Sequence, residues 1–202
     1  EMLSSTQFLS AFDIDREDAK VRDAYGRNAE GQNLLLARRL AEAGVPAIQV
    51  AWHRLGTWDT HGNNFNCLKE DLLPRFDQCY SALIEDLDQR GLLESTLVVV
   101  TSEMGRKPKI GDPRSGGATG AGRDHWTACQ SVLLAGGGIR GGQTFGKTDA
   151  RAEYPVENVM GPESIAHTIY HAMGIDKLTA TDVGGRPFNI LEGGRPLTEL
   201  FG

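Results

Sequence analysis

The segment from Thr96 to Ser102 constrains the fold most. Three consecutive valines, Val98 to Val100, stand between Leu97 and Thr101, a β-branched run of the kind buried on both faces of a parallel sheet. Parallel neighbours need a long crossover, usually a helix. One is readable just upstream: Leu68, Leu72, Phe76, Leu83 and Leu87, joined by Leu73, Tyr80 and Ile84, form a helical stripe that ends at Gly91. Pro74 either starts its main part or kinks it. Earlier still, Ile48, Val50 and Trp52 alternate across residues 45–52 as a strand would. Strand, helix, strand is a βαβ unit, so the fold class predicted is α/β, a mostly parallel sheet flanked by helices.

The other segments are read against that unit. Residues 31–44 carry Leu34, Leu35, Leu36 and Leu40 among good helix formers and meet Gly44, a helix stop. Residues 4–25, with Ser4, Ser5, Phe8, Leu9, Phe12 and Val21, suggest one or two short helices. Residues 129–135 read as a strand, and 136–149 as an antiparallel glycine-rich hairpin. Residues 162–173 read as a helix opened by Pro162 and closed by Gly174. The stretch beyond it, with Gly-Gly-Arg-Pro at 184–187 and again at 193–196, reads as irregular. A length of 202 residues fits one domain spanning 1–202.

Charge and composition exclude two function classes. The net charge of −6 leaves no basic surplus to displace phosphate counterions, which argues against a nucleic-acid binder. No apolar run approaches the ~20 residues of a membrane span. Cys67, Cys79 and Cys129 cannot form an even disulfide framework, and the first two would lie about 18 Å apart along one helix, so free, buried thiols are expected. The chain opens on Glu1 with no signal-peptide pattern, which suggests a processed or excised piece.

The sharpest group of chemical residues is Asp59, His61, Glu103 and His125, with Asp124 beside the last. Asp59 and His61 follow the carboxyl end of one predicted strand and Glu103 that of the next, the edge at which open α/β sheets bind ligands. His125 ends the long loop 104–124, rich in Gly, Pro and basic residues; loops beyond about 12–15 residues are unusual unless functional or disordered. If the following strand runs antiparallel, His125 returns to the same edge. Mixed oxygen and nitrogen ligands suit Zn²⁺ or a similar divalent ion. The plainer alternative is an Asx turn at Asp59, a surface His61, and Glu103 paired with Arg106 or Arg123.

Other patterns carry less. Gly136, Gly138 and Gly141 match G-x-G-x-x-G, and Gly141 to Thr148 matches G-x-x-x-x-G-K-T, but each motif needs a helix directly after the loop and Pro155 cuts one short. His167 and His171 have zinc-protease spacing, yet Thr168 occupies the place of the general-base glutamate, so a solvated or partly packed pair is expected. Ser102 lies in no G-x-S-x-G elbow.

Several motifs taken together resemble the alkaline phosphatase and sulfatase-like superfamily, and within it an uncharacterised bacterial, planctomycete-rich branch of unknown function. The matching residues are Tyr25-Gly26, Leu36-Ala37-Arg38-Arg39-Leu40, Trp58-Asp59-Thr60-His61-Gly62-Asn63-Asn64-Phe65 and Glu103-Met104-Gly105-Arg106. To these are added Gly122-Arg123-Asp124-His125-Trp126, the glycine-rich segment, and residues 165–175. The resemblance runs from about residue 20 to the end.

The resemblance implies a metal-dependent hydrolase of phosphate or sulfate esters. Asp59, His61 and His125 match an Asp/His/His set that holds one ion, Zn²⁺ first, with Mn²⁺, Ca²⁺ or Mg²⁺ as alternatives. Glu103 would bind a second ion or orient water, and Arg106 and Arg123 would hold the anionic ester, which the planar guanidinium fork suits. Met104 departs from the pattern, standing where relatives carry His or Asn, and a thioether is a poor ligand for a hard or borderline ion. The early metal-binding Asp and the Ser, Thr or Cys nucleophile are not found in these residues, so the chain resembles a carboxyl-terminal half with an incomplete site. Relatives are commonly exported, which implies a periplasmic or otherwise exported bacterial protein whose partners include the anionic ligand and either a second copy or the missing half. The alternative is a non-catalytic module that keeps the scaffold for binding or assembly.

Overall fold

A computed structural model describes residues 6–52, 58–111, 122–175 and 177–202. Readings that fall on Ser4, Ser5, Gly56, Thr57 and the 112–121 part of the long loop lie outside them. Contacts divide the chain into two compact units. One draws its residues from 1–93 and 109–124, the other from 94–108 and 125–202.

The first unit is helical: α1 (Thr6–Ala11), α2 (Ala19–Tyr25), α3 (Ala29–Glu42), α4 (Asn64–Cys67) and α5 (Leu73–Gln89). Helix starts are set by side chains that accept otherwise unpaired amides. Asp18 accepts from Lys20 N–H at 2.7 Å, and Asn28 accepts from Gly31 N–H at 2.9 Å. Between α4 and α5, residues Leu68–Leu72 form a π turn closed by Leu73 N–H to the Leu68 carbonyl. Pro74, in the first turn of α5, has no N–H to continue the α-helical ladder, and the turn widens there. Of the foreseen stripe, Leu72 at the end of the π turn and Leu83 and Leu87 on α5 are buried, whereas Leu73 is exposed; α5 also buries Cys79, α3 adds Leu35 and α2 adds Tyr25. Each fully buried leucine stabilises by about 1.5–3 kcal/mol.

A charged cluster runs through this apolar layer. The Arg38 side chain is completely buried and meets Glu17 at 2.8 Å, Glu42 at 2.6 Å and Asp86 at 2.8 Å. Tyr25 donates its hydroxyl to Asp86 at 3.0 Å, Arg39 pairs with Glu17, and Arg90 reaches Asp86 at 2.6 Å. Burial alone would raise the Glu17 carboxyl, but hydrogen bonds and charge from Arg38 and Arg39 outweigh it and hold the group below its ordinary value. Tyr25 is pushed up, first by burial and then by the Asp86 charge, and stays a donor.

The second unit holds β1 (Val98–Val100), β2 (Gly105–Arg106), β3 (His125–Trp126), β4 (Leu133–Ala135), β5 (Lys147–Thr148), β6 (Pro155–Glu157), α6 (Pro162–Ala172), β7 (Thr179–Thr181) and β8 (Pro187–Asn189). These strands overturn the predicted fold class. Among the described residues every sheet is a two-stranded antiparallel pair: β1 with β4, β2 with β3, β5 with β6, β7 with β8. Among the described residues there is no mostly parallel sheet. Residues 45–52 join no ladder, and the valine run pairs instead antiparallel through Val98↔Ala135, Val99↔Leu134 and Val100↔Leu133. A half-buried β-branched run suits either kind of partner, and the partner was not legible locally.

The glycine-rich hairpin is also corrected. Gly136, Gly137 and Gly138 all take positive φ, a region open to glycine, and turn the chain away from itself. Ile139 bridges to Phe201, and Arg140 N–H donates to the Leu200 carbonyl at 2.8 Å. Lys147 and Thr148 pair with β6 through a turn at Asp149, whose carboxylate accepts from Arg151 and Glu153 amides at 3.0 and 2.9 Å, so no helix opens after the phosphate-loop pattern. The tail read as irregular contains the β7–β8 hairpin, its turn held by Asp182 accepting from Gly184 and Arg186 amides at 2.8 and 2.9 Å.

Helix α6 carries the tail. Thr168 is fully buried; its hydroxyl donates to the Ser164 carbonyl at 2.6 Å and accepts from Leu197 N–H at 2.9 Å. His167 Nε2 lies 2.9 Å from the Gly193 carbonyl, and the His171 ring meets Phe201 edge-on at 5.2 Å. The cysteines are free, with Cys79 buried and the other two half-buried. No helix among the described residues is long and apolar enough to cross a membrane.

Candidate functional site

In the first unit the segment 58–64 is held at several points. The Trp58 ring packs edge-to-face on Trp52 at 5.4 Å and on Phe76 of α5 at 6.2 Å, and Phe76 stacks on Tyr80 at 5.2 Å. Thr60 is buried and donates its hydroxyl to the amide oxygen of Asn64, at the start of α4. Its carbonyl accepts from Arg123 N–H at 3.4 Å, while Gly111 N–H donates to the Gly122 carbonyl at 3.2 Å. Gly122 approaches so closely that a Cβ there would sit 2.1 Å from the His61 carbonyl oxygen. Residues 122–124 therefore lie against residues 60–62.

That approach gives His61 a carboxylate toward each ring nitrogen. Nε2 is 3.0 Å from Asp59 Oδ1, and Nδ1 is 3.8 Å from Asp124 Oδ1. Both Asp59 and His61 are open to solvent on one side, at about 43% and 40% side-chain exposure, so a ligand can reach them. Asp124 faces Nδ1 within ion-pair reach but beyond hydrogen-bond distance. The sequence reading set Asp124 beside His125 without a role; its contiguity with Gly122 and Arg123 was the available signal.

Of the other expected site residues, Glu103, Arg106 and His125 lie in the second unit and Arg123 in the first. β2 and β3 are the stem of the long loop, in register Gly105↔Trp126 and Arg106↔His125. Directly opposite residues on an antiparallel pair share a face, so Arg106 and His125 are neighbours. Trp126 fixes β3, donating Nε1–H to the Glu153 carbonyl at 2.6 Å and packing on Tyr154 at 5.5 Å. Glu103 is exposed, in a bend where the Ser102 hydroxyl donates to the Met104 carbonyl at 2.8 Å. Among the described residues no cluster of metal-ligating side chains includes Glu103. His125 follows Asp124 directly in the chain, one peptide bond beyond the first unit. Arg123, on the other side of Asp124, is half-buried, and its backbone makes the link to Thr60.

A family model described as "Protein of unknown function (DUF1501)" matches residues 2–201. The chain belongs to that family. No curated protein and no solved structure matches it significantly.

Proposed function

We propose that Asp59, His61 and His125 together hold one divalent cation, Zn²⁺ in the first instance, in a hydrolase-like unit of the alkaline phosphatase and sulfatase kind that acts on phosphate or sulfate esters. The observation that carries this reading is His61 set between Asp59 and Asp124, with a carboxylate toward each ring nitrogen. A carboxylate and two imidazoles are the donors zinc takes at sites that keep a position open for substrate or water. When bound, such an ion polarises an ester oxygen and stabilises charge in the transition state. Around it Asp59 and His61 supply donors from one loop, Asp124 orients the imidazole, and Arg106 beside His125 pairs with anionic ester oxygens. Arg123 serves the same anion, and Glu103 orients water or a second ion. On the same likeness the protein is exported from a bacterial cell.

Metal loading tests the proposal. Protein equilibrated with zinc or manganese and desalted is expected to retain about one ion per chain, lost in Asp59→Ala and in His125→Ala. Wild-type protein that retains no stoichiometric ion after loading sinks it. A second reading, a non-catalytic binding or assembly module, is favoured by Met104, which puts a thioether where the resemblance expects an imidazole or amide donor. A metal-loaded chain that binds inorganic phosphate but does not turn over p-nitrophenyl phosphate or p-nitrophenyl sulfate selects this second reading.

A further inference from the structure

We propose that Trp58 is a positioning residue for Asp59. The inference rests on the reading of Asp59 as a metal ligand, and the anchoring of Trp58 is its independent ground. Asp59 is half-exposed, and an exposed carboxylate on a glycine- and asparagine-rich loop would ordinarily sample several rotamers. Here its two chain neighbours are pinned. Behind it Thr60 is buried on Asn64; ahead of it the Trp58 ring is clasped by Trp52 and Phe76, with Trp52 also 6.2 Å from Phe76 and Tyr80 stacked beyond. The cluster is built on α5, so a rigid helix sets the backbone direction at residue 58 and hence the side from which the Asp59 carboxylate meets His61. Trp52 and Trp58 stand six positions apart in the chain, and their rings meet edge-to-face. Edge-to-face and stacked aromatic pairs are favoured beyond the area they bury, which biases the segment toward one arrangement.

The test uses Trp58→Ala and Trp58→Phe in the full chain, with far-UV circular dichroism and thermal melting to confirm folding. In metal-free protein the Asp59 Hα–Hβ couplings report its rotamers: one dominant rotamer is expected in wild type and in Trp58→Phe, and averaging in Trp58→Ala. In metal-loaded protein, Trp58→Ala is expected to weaken zinc binding about 10–100-fold, the usual cost of losing an outer-shell support, and to shift the visible bands of the cobalt-substituted site, with Trp58→Phe restoring both. Unchanged Asp59 couplings and unchanged zinc affinity in Trp58→Ala overturn the proposal. Wild-type protein with one Asp59 rotamer and no zinc binding overturns the metal reading instead and leaves the positioning role standing.

Discussion

Gly122 shows how much of the candidate site depends on an atom that is not there. A Cβ at that position would lie 2.1 Å from the His61 carbonyl oxygen, and the obstacle is backbone, which cannot swing aside. Gly122→Ala must therefore push residues 122–124 off residues 60–62, lengthening the path from Asp124 to His61. If the proposed zinc site holds, the expected outcome is at least about a tenfold loss of zinc affinity with the helical circular dichroism preserved, the order of losing a supporting partner of a ligand. Equal zinc affinity in Gly122→Ala and wild type contradicts this account. Arg38 is the opposite case, a residue defined by what surrounds it: three carboxylates lie within 2.8 Å of a guanidinium with no solvent exposure. Removing one partner of a buried ion pair costs about 3–5 kcal/mol. Arg38→Ala is expected to lower the stability of the first unit by that order in urea denaturation, and a change below about 1 kcal/mol contradicts it.

At the scale of elements, α6 gains its place from one hydroxyl. Thr168 bonds the carbonyl of its own preceding turn and receives the amide of Leu197, tying the chain's tail across the helix in a buried setting. Thr168→Val keeps the shape but leaves that amide without an acceptor, which costs about 1–3 kcal/mol. Faster hydrogen exchange at Leu197, with α6 itself still protected, is the specific signature; unchanged exchange there rules the account out. The position also explains why the i, i+4 histidine pair on α6 is unlike a zinc-protease motif. His167 is engaged by the Gly193 carbonyl and His171 by the Phe201 ring, and the residue in the general base's place is the anchor of the tail.

For the molecule as a whole, pH acts through the Arg38 cluster. Glu17 is held below its ordinary value of 4.5 because the surrounding guanidinium groups outweigh the cost of burial. A carboxylate depressed in the folded state contributes stability above its unfolded value, and that contribution disappears as pH falls through the lower folded value. Stability of the first unit is therefore expected to fall from about pH 4.5 downward. Glu17→Gln should be less stable at neutral pH and lose less on acidification, measured as urea midpoints at pH 7 and pH 3. Equal slopes for the two proteins reject a role for Glu17.

The helices were readable because amphipathic spacing and stop signals are local: α3, α5 and α6 lie close to where leucine periodicity, Pro162, Gly44, Gly91 and Gly174 put them. Asp59, His61, Glu103 and His125 stood out by residue type as a candidate group, and type alone does not say whether they hold an ion. What could not be read was pairing. Whether Val98–Val100 meets a parallel or an antiparallel neighbour, whether residues 45–52 enter a ladder at all, and whether the glycines at 136–138 fold back or carry the chain toward Phe201 depend on partners distant in sequence. The placement of Asp124 and the burial of Arg38 have the same origin. Residue type and local periodicity are properties of a few neighbouring side chains; strand partners, buried charges and the carboxylates around His61 exist only once remote segments have met, and tertiary packing alone decides which ones do.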